Sequence, residues 1–295
     1  MESTRLAFVG GGPVASTLAR AMHRAGLQIT AIASRNRVRA AAIAAHLPGT
    51  VVAADVQQAV DAADLVFLTV PDDAIQRVCE SATWRAGTAV VHCSGATEVS
   101  ALAGARAAGA LTGAFHPLQM FANPDVALTM LPGCTITIDA QAPLDRLLED
   151  LCRRIGCRPV HLPGGQRALY HASANYVGPF VIALMQEAVE MWRALGASDR
   201  DALEALIPLL RGTIAAVEDG GLARGMGGCV ARGDVGTVRR HVAAITSLSP
   251  GMATLYRHLT LRTIPLGIAR GTLSPERAAE IRAMVEARRL EEEGD

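Results

Sequence analysis

The chain has 295 residues and no lysine; every one of its 28 basic Lys-or-Arg positions is arginine. That absence excludes lysine Schiff-base chemistry, a lysine-anchored pyridoxal phosphate, a phosphate-loop lysine and any lysine general acid. A cationic or proton-donating side chain must then be Arg, His or Tyr. There is no surplus of charge either: 28 acidic residues balance the arginines, so no basic stripe is available for a phosphate backbone and no nucleic-acid partner is expected. Aromatics make up 3% of the chain, so a core drawn from its 50% apolar residues must be aliphatic. The longest clean apolar runs, such as Val177 to Met185, fall far short of the ~20 residues that span a bilayer. The N-terminus lacks a charged start followed by an apolar region and cleavage site, so a cytoplasmic protein without membrane contact is expected. The cysteines at 79, 93, 134, 152, 157 and 229 form no Cys-x-x-Cys pair, and the histidines form no His-Glu-x-x-His pattern. We read the cysteines as reduced, small and mostly buried, and expect no metal site.

What is present is organised in two parts. Length alone suggests about two domains at roughly 100–200 residues each. The first part alternates short β-rich runs with Ala-rich helical stretches. Strands are expected at Leu6 to Val9, Gln28 to Ala33, Thr50 to Val52, Asp64 to Val70, Thr88 to His92, Leu111 to Phe115, Thr135 to Ile138 and Pro159 to Leu162. Such alternation predicts an α/β fold with a mostly parallel sheet and helices on both faces. Beyond Pro163-Gly164-Gly165 no convincing strand remains. Helical patterns cover Arg167 to Leu195 with a kink at Gly178-Pro179, then Asp199 to Glu218, Thr237 to Ser247, Met252 to Arg270 and Ser274 to Leu290, before a solvated Glu291 to Asp295 tail. The expected domains are therefore 1–163, carrying the sheet, and 164–295, all helical.

Gly10-Gly11-Gly12-Pro13-Val14-Ala15 fits G-x-G-x-x-A, directly after the first strand and opening the first helix. In this order the pattern is the Rossmann-type dinucleotide fingerprint. Gly10 permits the tight turn, Gly12 lets the backbone approach a pyrophosphate, and Ala15 keeps helix and sheet close. The alternative is a glycine turn with no ligand. The second strand ends in Ser34-Arg35-Asn36-Arg37, where NAD sites place an acidic residue for the ribose. A hydroxyl with Arg35 and Arg37 suits a 2′-phosphate instead, which favours NADP. Val70 and Pro71, ending the fourth strand, are expected to line the cofactor crevice, and Asp72 or Asp73 to cap the next helix.

Two further strands end abruptly in polar groups, His92-Cys93-Ser94-Gly95 and His116-Pro117-Leu118-Gln119. Ser94 lacks the frame of a hydrolase elbow. Arg167, His171 and Asn175 stand at i, i+4 and i+8 and so share a helix face, with Tyr170 and Ser173 off it. A histidine can move a proton near neutrality. The expected roles are His171 as proton donor with His116 second, Asn175 and Ser94 orienting a reacting oxygen, and Arg167 holding a carboxylate. The plainer alternative for these groups is a structural hydrogen-bond network.

His92-Cys-Ser-Gly-Ala, Gly113-Ala-Phe-His-Pro-Leu-Gln, Ala168-Leu-Tyr-His-Ala and Val230-Ala-Arg-Gly-Asp-Val together resemble a family of bacterial Rossmann-like oxidoreductases with a C-terminal helical domain of unknown function. That family is similar to the group holding 6-phosphogluconate dehydrogenase, pyrroline-5-carboxylate reductase and ketopantoate reductase. The resemblance implies an all-helical dimerisation domain, and places His171-x-x-x-Asn175 where many relatives carry Lys-x-x-x-Asn. It also implies a 2-oxo acid such as ketopantoate as substrate. The sequence departs from the family pattern at Pro179 and at Gly227-Gly228-Cys229. The expectation is a homodimeric NADP-dependent oxidoreductase that passes a hydride between NADPH and a C=O or C=N carbon of a small, carboxylate-bearing molecule. The alternatives are an imine reductase resembling pyrroline-5-carboxylate reductase, and a non-catalytic NADP(H)-binding sensor or assembly protein.

Overall fold

A computed structural model describes residues 4–287. The expected end of the last helix at Leu290 and the Glu291 to Asp295 tail lie outside the described residues. The strands are β1 (Arg5–Val9), β2 (Gln28–Ala33), β3 (Val51–Ala53), β4 (Leu65–Leu68), β5 (Ala89–His92), β6 (Leu111–Pro117), β7 (Thr135–Ala140) and β8 (Arg158–His161). All eight join one sheet in the order β3-β2-β1-β4-β5-β6-β7-β8. Every pairing is parallel except β6 with β7. The chain crosses over between β3 and β4, so β1 and β4 become neighbours and a crevice opens beyond their carboxyl ends.

The helices of this part are α1 (Pro13–Arg24), α2 (Arg37–Ala44), α3 (Val56–Asp61), α4 (Ile75–Glu80), α5 (Ala103–Ala107), α6 (Pro124–Met130), α7 (Leu144–Arg154) and α8 (Arg167–Val177). They cover both faces of the sheet, which explains why β1, β4 and β5 are apolar nearly throughout. On one face Leu6, Phe8, Phe67, Val91 and Phe115 join residues of α1 and α7. Phe8 stacks on Phe67 at 4.9 Å, and Phe115 meets Phe67 edge-on at 5.6 Å. Ala7, Val9, Val66, Leu68 and Val90 form the core of the other face. Helix α6 was not anticipated from the sequence, although Asn123-Pro124 is a start signal. The Asn123 side chain accepts the N–H groups of Asp125 and Val126, and Pro124 opens the helix. Neither Asp72 nor Asp73 caps a helix: Pro71 precedes the short turn that holds them, and Ala74 precedes α4.

The first compact unit extends to Gly178, and the second begins at Pro179. The expected boundary near 163 follows the end of β8, but α8 stays with the sheet, where Arg167 is fully buried and Tyr170 and His171 meet His116 of β6. The expected kink at Gly178-Pro179 separates α8 from α9 (Pro179–Ala194). The second unit continues with α10 (Asp199–Gly225), α11 (Gly228–Ala231), α12 (Val235–Leu248), α13 (Pro250–Arg270) and α14 (Pro275–Ala287). Helix α10 runs past the expected Glu218 and breaks at Gly221, whose φ of 69° lies in the left-handed region. Val235, Val238, Val242, Ile264 and Ile281 form the core of this unit. No helix among the described residues is long and apolar enough to cross a membrane.

Candidate active site

The glycine loop follows β1 at the crevice. Gly10 has φ 131° and donates its N–H to the Ala33 carbonyl at 2.8 Å. A Cβ there would lie 2.4 Å from the Thr69 carbonyl oxygen, so both conformation and space demand glycine. A Cβ on Gly11 would lie 2.7 Å from Ser34 Oγ, which brings the loop against the end of β2. Gly12 is different: nothing stands within 4 Å of its missing side chain. It precedes α1 without a capping side chain, and Pro13 follows. The first-turn N–H groups therefore have no capping side chain, and the space beside Gly12 is open, an arrangement suited to a phosphate. Ala15 is fully buried, as close packing of α1 on the sheet requires.

At the end of β2, Ser34 Oγ accepts the Asn36 N–H, and the Asn36 side chain caps α2 by accepting the Arg39 N–H. Arg37 opens α2 and donates from Nη1 to the Ala53 carbonyl at 3.4 Å. Helix α2 has no acidic residue in its first turn, so Arg35, Arg37 and Arg39 gather cationic charge at a helix N-terminus. The helix dipole disfavours that placement unless an anion is there to receive it. A cavity of about 320 Å³ lies here, lined by Val9, Ser34, Arg35, Val70, Pro71 and Arg77 among others. Of the residues expected at the cofactor, Ser34, Arg35, Val70 and Pro71 line it, while Arg37 and the glycine loop are not on its wall. Arg77 was missed in the sequence because only the return of α4 toward the β4 end delivers it. Asp55, also on the wall, is committed to capping α3 through the Gln58 N–H. These features fit a phosphorylated dinucleotide.

The second polar cluster lies at the carboxyl ends of β5 and β6, under α8. His92 pairs with Ala114 across β5 and β6, and Ala114 with Asp139 across β6 and β7. Side chains on one sheet face alternate with period two, so Thr112, Ala114 and His116 share the face of His92, Thr137 and Asp139. Helix α8 covers this polar row. Tyr170 Oη lies 2.8 Å from His116 Nδ1, with the two rings edge to face. The His116 and His171 rings meet edge to face at 5.6 Å. Both imidazoles converge on Gly95: a Cβ there would lie 2.3 Å from His171 Nδ1 and 2.8 Å from His116 Nε2. Glycine at this position is what lets two histidines from different elements meet.

Burial holds two of these histidines neutral. His116 is lowered from 6.5 to about 3, first by burial and then by His171 and Arg167 nearby. His92 is lowered to about 3 by burial and by Arg167, and neither of its ring nitrogens is in hydrogen-bond geometry. Burial also raises the Tyr170 phenol, and drives the Cys93 thiol up to about 12, which makes that cysteine inert as a nucleophile at neutral pH.

Arg167 and Ser94 each make local contacts. Arg167 is fully buried, and its Nη2 donates to the Ser94 carbonyl, while its Nε and Nη1 have no hydrogen-bond partner. The backbone N–H groups of Arg167 and Gly165 donate to the two carboxylate oxygens of Glu98, which anchors the start of α8. Ser94 Oγ donates to Thr97 Oγ1 and accepts the N–H groups of Ala96 and Thr97, so a local turn occupies it. Asn175 shares the expected face of α8 and donates to the His171 carbonyl one turn back. Tyr170 was placed off that face from spacing alone. At i+3 from Arg167 it is nevertheless a neighbour on the same broad stripe, and that was the signal available. Among the described residues no group of three or more His, Cys, Asp or Glu is arranged to hold a metal.

Residues 5–95 match the family model described as NADP oxidoreductase, coenzyme F420-dependent, and residues 134–263 match a domain of unknown function, DUF2520. The chain is thus similar to NADP oxidoreductases over its first part and to that uncharacterised domain over a later part. Solved structures agree on the fold. A Bacteroides fragilis protein described as an NADP oxidoreductase is 22% identical with a TM-score of 0.72, covering 89% of this chain and 98% of its own. A reductive aminase from Aspergillus terreus, solved with NADPH and ethyl-5-oxohexanoate, is 18% identical with a TM-score of 0.60, covering 98% and 94%. The 1-pyrroline-5-carboxylate reductase of Streptococcus pyogenes is 12% identical with a TM-score of 0.60, covering 95% and 98%. No curated protein matches the chain.

Proposed function

We propose that this protein is an NADP-dependent reductase acting on the C=O or C=N bond of a small molecule. The observation behind this is the convergence of His116 and His171 over Gly95 at the carboxyl end of β5, in the same unit as a glycine loop built for a dinucleotide. The fold also supports it, since structures of similar architecture include a reductive aminase with NADPH and a pyrroline-5-carboxylate reductase. Gly12 and the first turn of α1 would hold the pyrophosphate, while Ser34, Arg35 and Arg37 would hold the 2′-phosphate, with Val70 and Pro71 on the wall. NADPH, when bound, supplies the hydride. The protein supplies the proton. Tyr170 donates its hydroxyl to His116 Nδ1, which places the imidazole proton on Nε2, toward Gly95 and His171. His171 hands a proton to the reduced oxygen or nitrogen; His116 passes its Nε2 proton to His171 as its Nδ1 takes the Tyr170 hydroxyl proton, and solvent water returns a proton to the Tyr170 oxygen. Asn175 fixes the turn of α8 that carries His171, and Arg167 holds the Ser94–Gly95 segment from below.

The cofactor half of this proposal has a direct test. Calorimetry should show NADPH binding more tightly than NADH. Arg35→Ala combined with Arg37→Ala should remove charge-assisted hydrogen bonds and cut that preference by about 10- to 100-fold. Equal affinity for both dinucleotides in the parent protein would sink the NADP assignment.

In the second unit Phe180, Ile182, Leu209 and Ile214 are each at least half exposed on α9 and α10. We propose that a second copy of the chain covers them, because apolar surface of that kind calls for burial. Sedimentation should then give about twice the 30.8 kDa chain mass, and a monomer at micromolar concentration would refute it.

A further inference from the structure

A second cavity, of about 400 Å³, opens on the first unit and shares no lining residue with the cofactor crevice. Its size falls in the range of small-molecule sites. One wall is the end of β7 at Asp139, another carries Glu98, and Arg106 reaches it from α5. Val99, Ala110, Leu111, Ala142 and Leu144 supply apolar surface, and Gly164-Gly165 form a wall without side chains.

The charges here do not cancel in place. Glu98 is committed: its two oxygens accept the N–H groups of Gly165 and Arg167. The buried Arg167 cation is shared electrostatically between Glu98 and Asp139, so one negative charge is left in excess. Asp139 is half-buried, and among the described residues no hydrogen bond or ion pair engages its carboxylate. Burial pushes its carboxyl above the usual range, which marks a carboxylate short of partners. The Arg106 guanidinium likewise makes no hydrogen bond or ion pair among the described residues. The cavity thus presents a half-buried carboxylate without a hydrogen-bond partner and an exposed guanidinium beside a small apolar surface. A ligand with a single charge would satisfy one and leave the other.

We propose that this cavity binds a zwitterion, an α-amino acid with a small apolar side chain, with its ammonium on Asp139 and its carboxylate on Arg106. Guanidinium and carboxylate match in bidentate geometry, and a carboxylate facing an ammonium is relieved of its desolvation cost. The apolar residues take the side chain. This site stands independently of the reductase proposal, since NADPH affinity is read separately.

The test is calorimetry on the full-length protein with L-alanine, L-valine and L-proline, and with ethylamine and propionate as single-charge analogues. At least one amino acid should bind with a millimolar or lower Kd, about tenfold or more tighter than either analogue. Asp139→Asn, which preserves shape, and Arg106→Gln, on the exposed rim, should each weaken that binding about tenfold or more and leave NADPH affinity unchanged. Thermal melting of the ligand-free variants identifies any that fail to fold, and the exposed Arg106→Gln keeps the test open if Asp139→Asn is lost. No amino acid binding at about 50 mM, equal binding by ethylamine or propionate, or full affinity retained in a folded variant overturns the proposal.

Discussion

Replacing His171 by alanine is expected to lower turnover about 10²- to 10⁴-fold while leaving NADPH affinity nearly unchanged. That split follows from the geometry. His171 Nδ1 comes close enough to the Gly95 backbone that no Cβ fits between them, yet His171 has no place in the glycine loop or at the end of β2. Its loss removes proton transfer and not cofactor binding. Tyr170→Phe separates this account from a purely structural role for the cluster. The ring and its packing on His116 remain, but the 2.8 Å contact to Nδ1 disappears, and turnover should fall by about tenfold or more. Because burial holds His116 near 3, its own titration should leave no limb in the kcat/KM profile between pH 5 and 8. Stopped-flow and steady-state measurements of NADPH oxidation on a panel of 2-oxo acids and cyclic imines would decide it. Undiminished turnover in His171→Ala would remove the proposed proton donor. Tight NADPH binding with no turnover on any carbonyl or imine would favour a dinucleotide sensor.

Acid should destabilise the folded chain through the same buried histidines. In the folded protein His92 and His116 are lowered from 6.5 to about 3, mainly by burial. The unfolded chain binds protons at both positions once the pH falls below about 6.5, and the folded chain does not follow until about 3. Unfolding is therefore favoured as pH drops through that window, at about 1.4 kcal/mol per pH unit for each imidazole. Above about 6.5 both states are neutral at these sites and the effect vanishes. At pH 5 the contribution of His92 alone is about 2 kcal/mol. Denaturant unfolding at pH 7.5 and 5 should show that His92→Gln loses less stability on acidification than the parent by about this amount. Equal losses in the two proteins would mean that His92 is not held neutral in the folded state.

Much of the first unit was legible because its signals are local. The order strand, Gly10-Gly11-Gly12, helix, strand is read by counting, and β2 ends at the residue where the sequence placed it. Other features depended on contacts between distant segments. Spacing could show that Arg167, His171 and Asn175 share a side of α8, but not that the sheet buries Arg167 completely. Nor could it show that the Ser94 hydroxyl is spent on its own turn. Tyr170 was set aside because a strict i, i+4 ladder excludes i+3, although a helix buries a stripe wide enough for both. The antiparallel pairing of β6 with β7, which places Asp139 beside Ala114, has no sequence mark at all.

By itself the amino-acid sequence determined the two-part architecture, the dinucleotide loop and its basic neighbour Arg35, and the kinds of side chain able to move a proton in a chain without lysine. These are properties of residue type and spacing along one strand or helix. Only the tertiary structure decided which histidines meet, that Arg167 is buried, and that Asp139 and Arg106 line one cavity. Those outcomes depend on sheet register and on which atoms lose their water, and neither is encoded within a single segment.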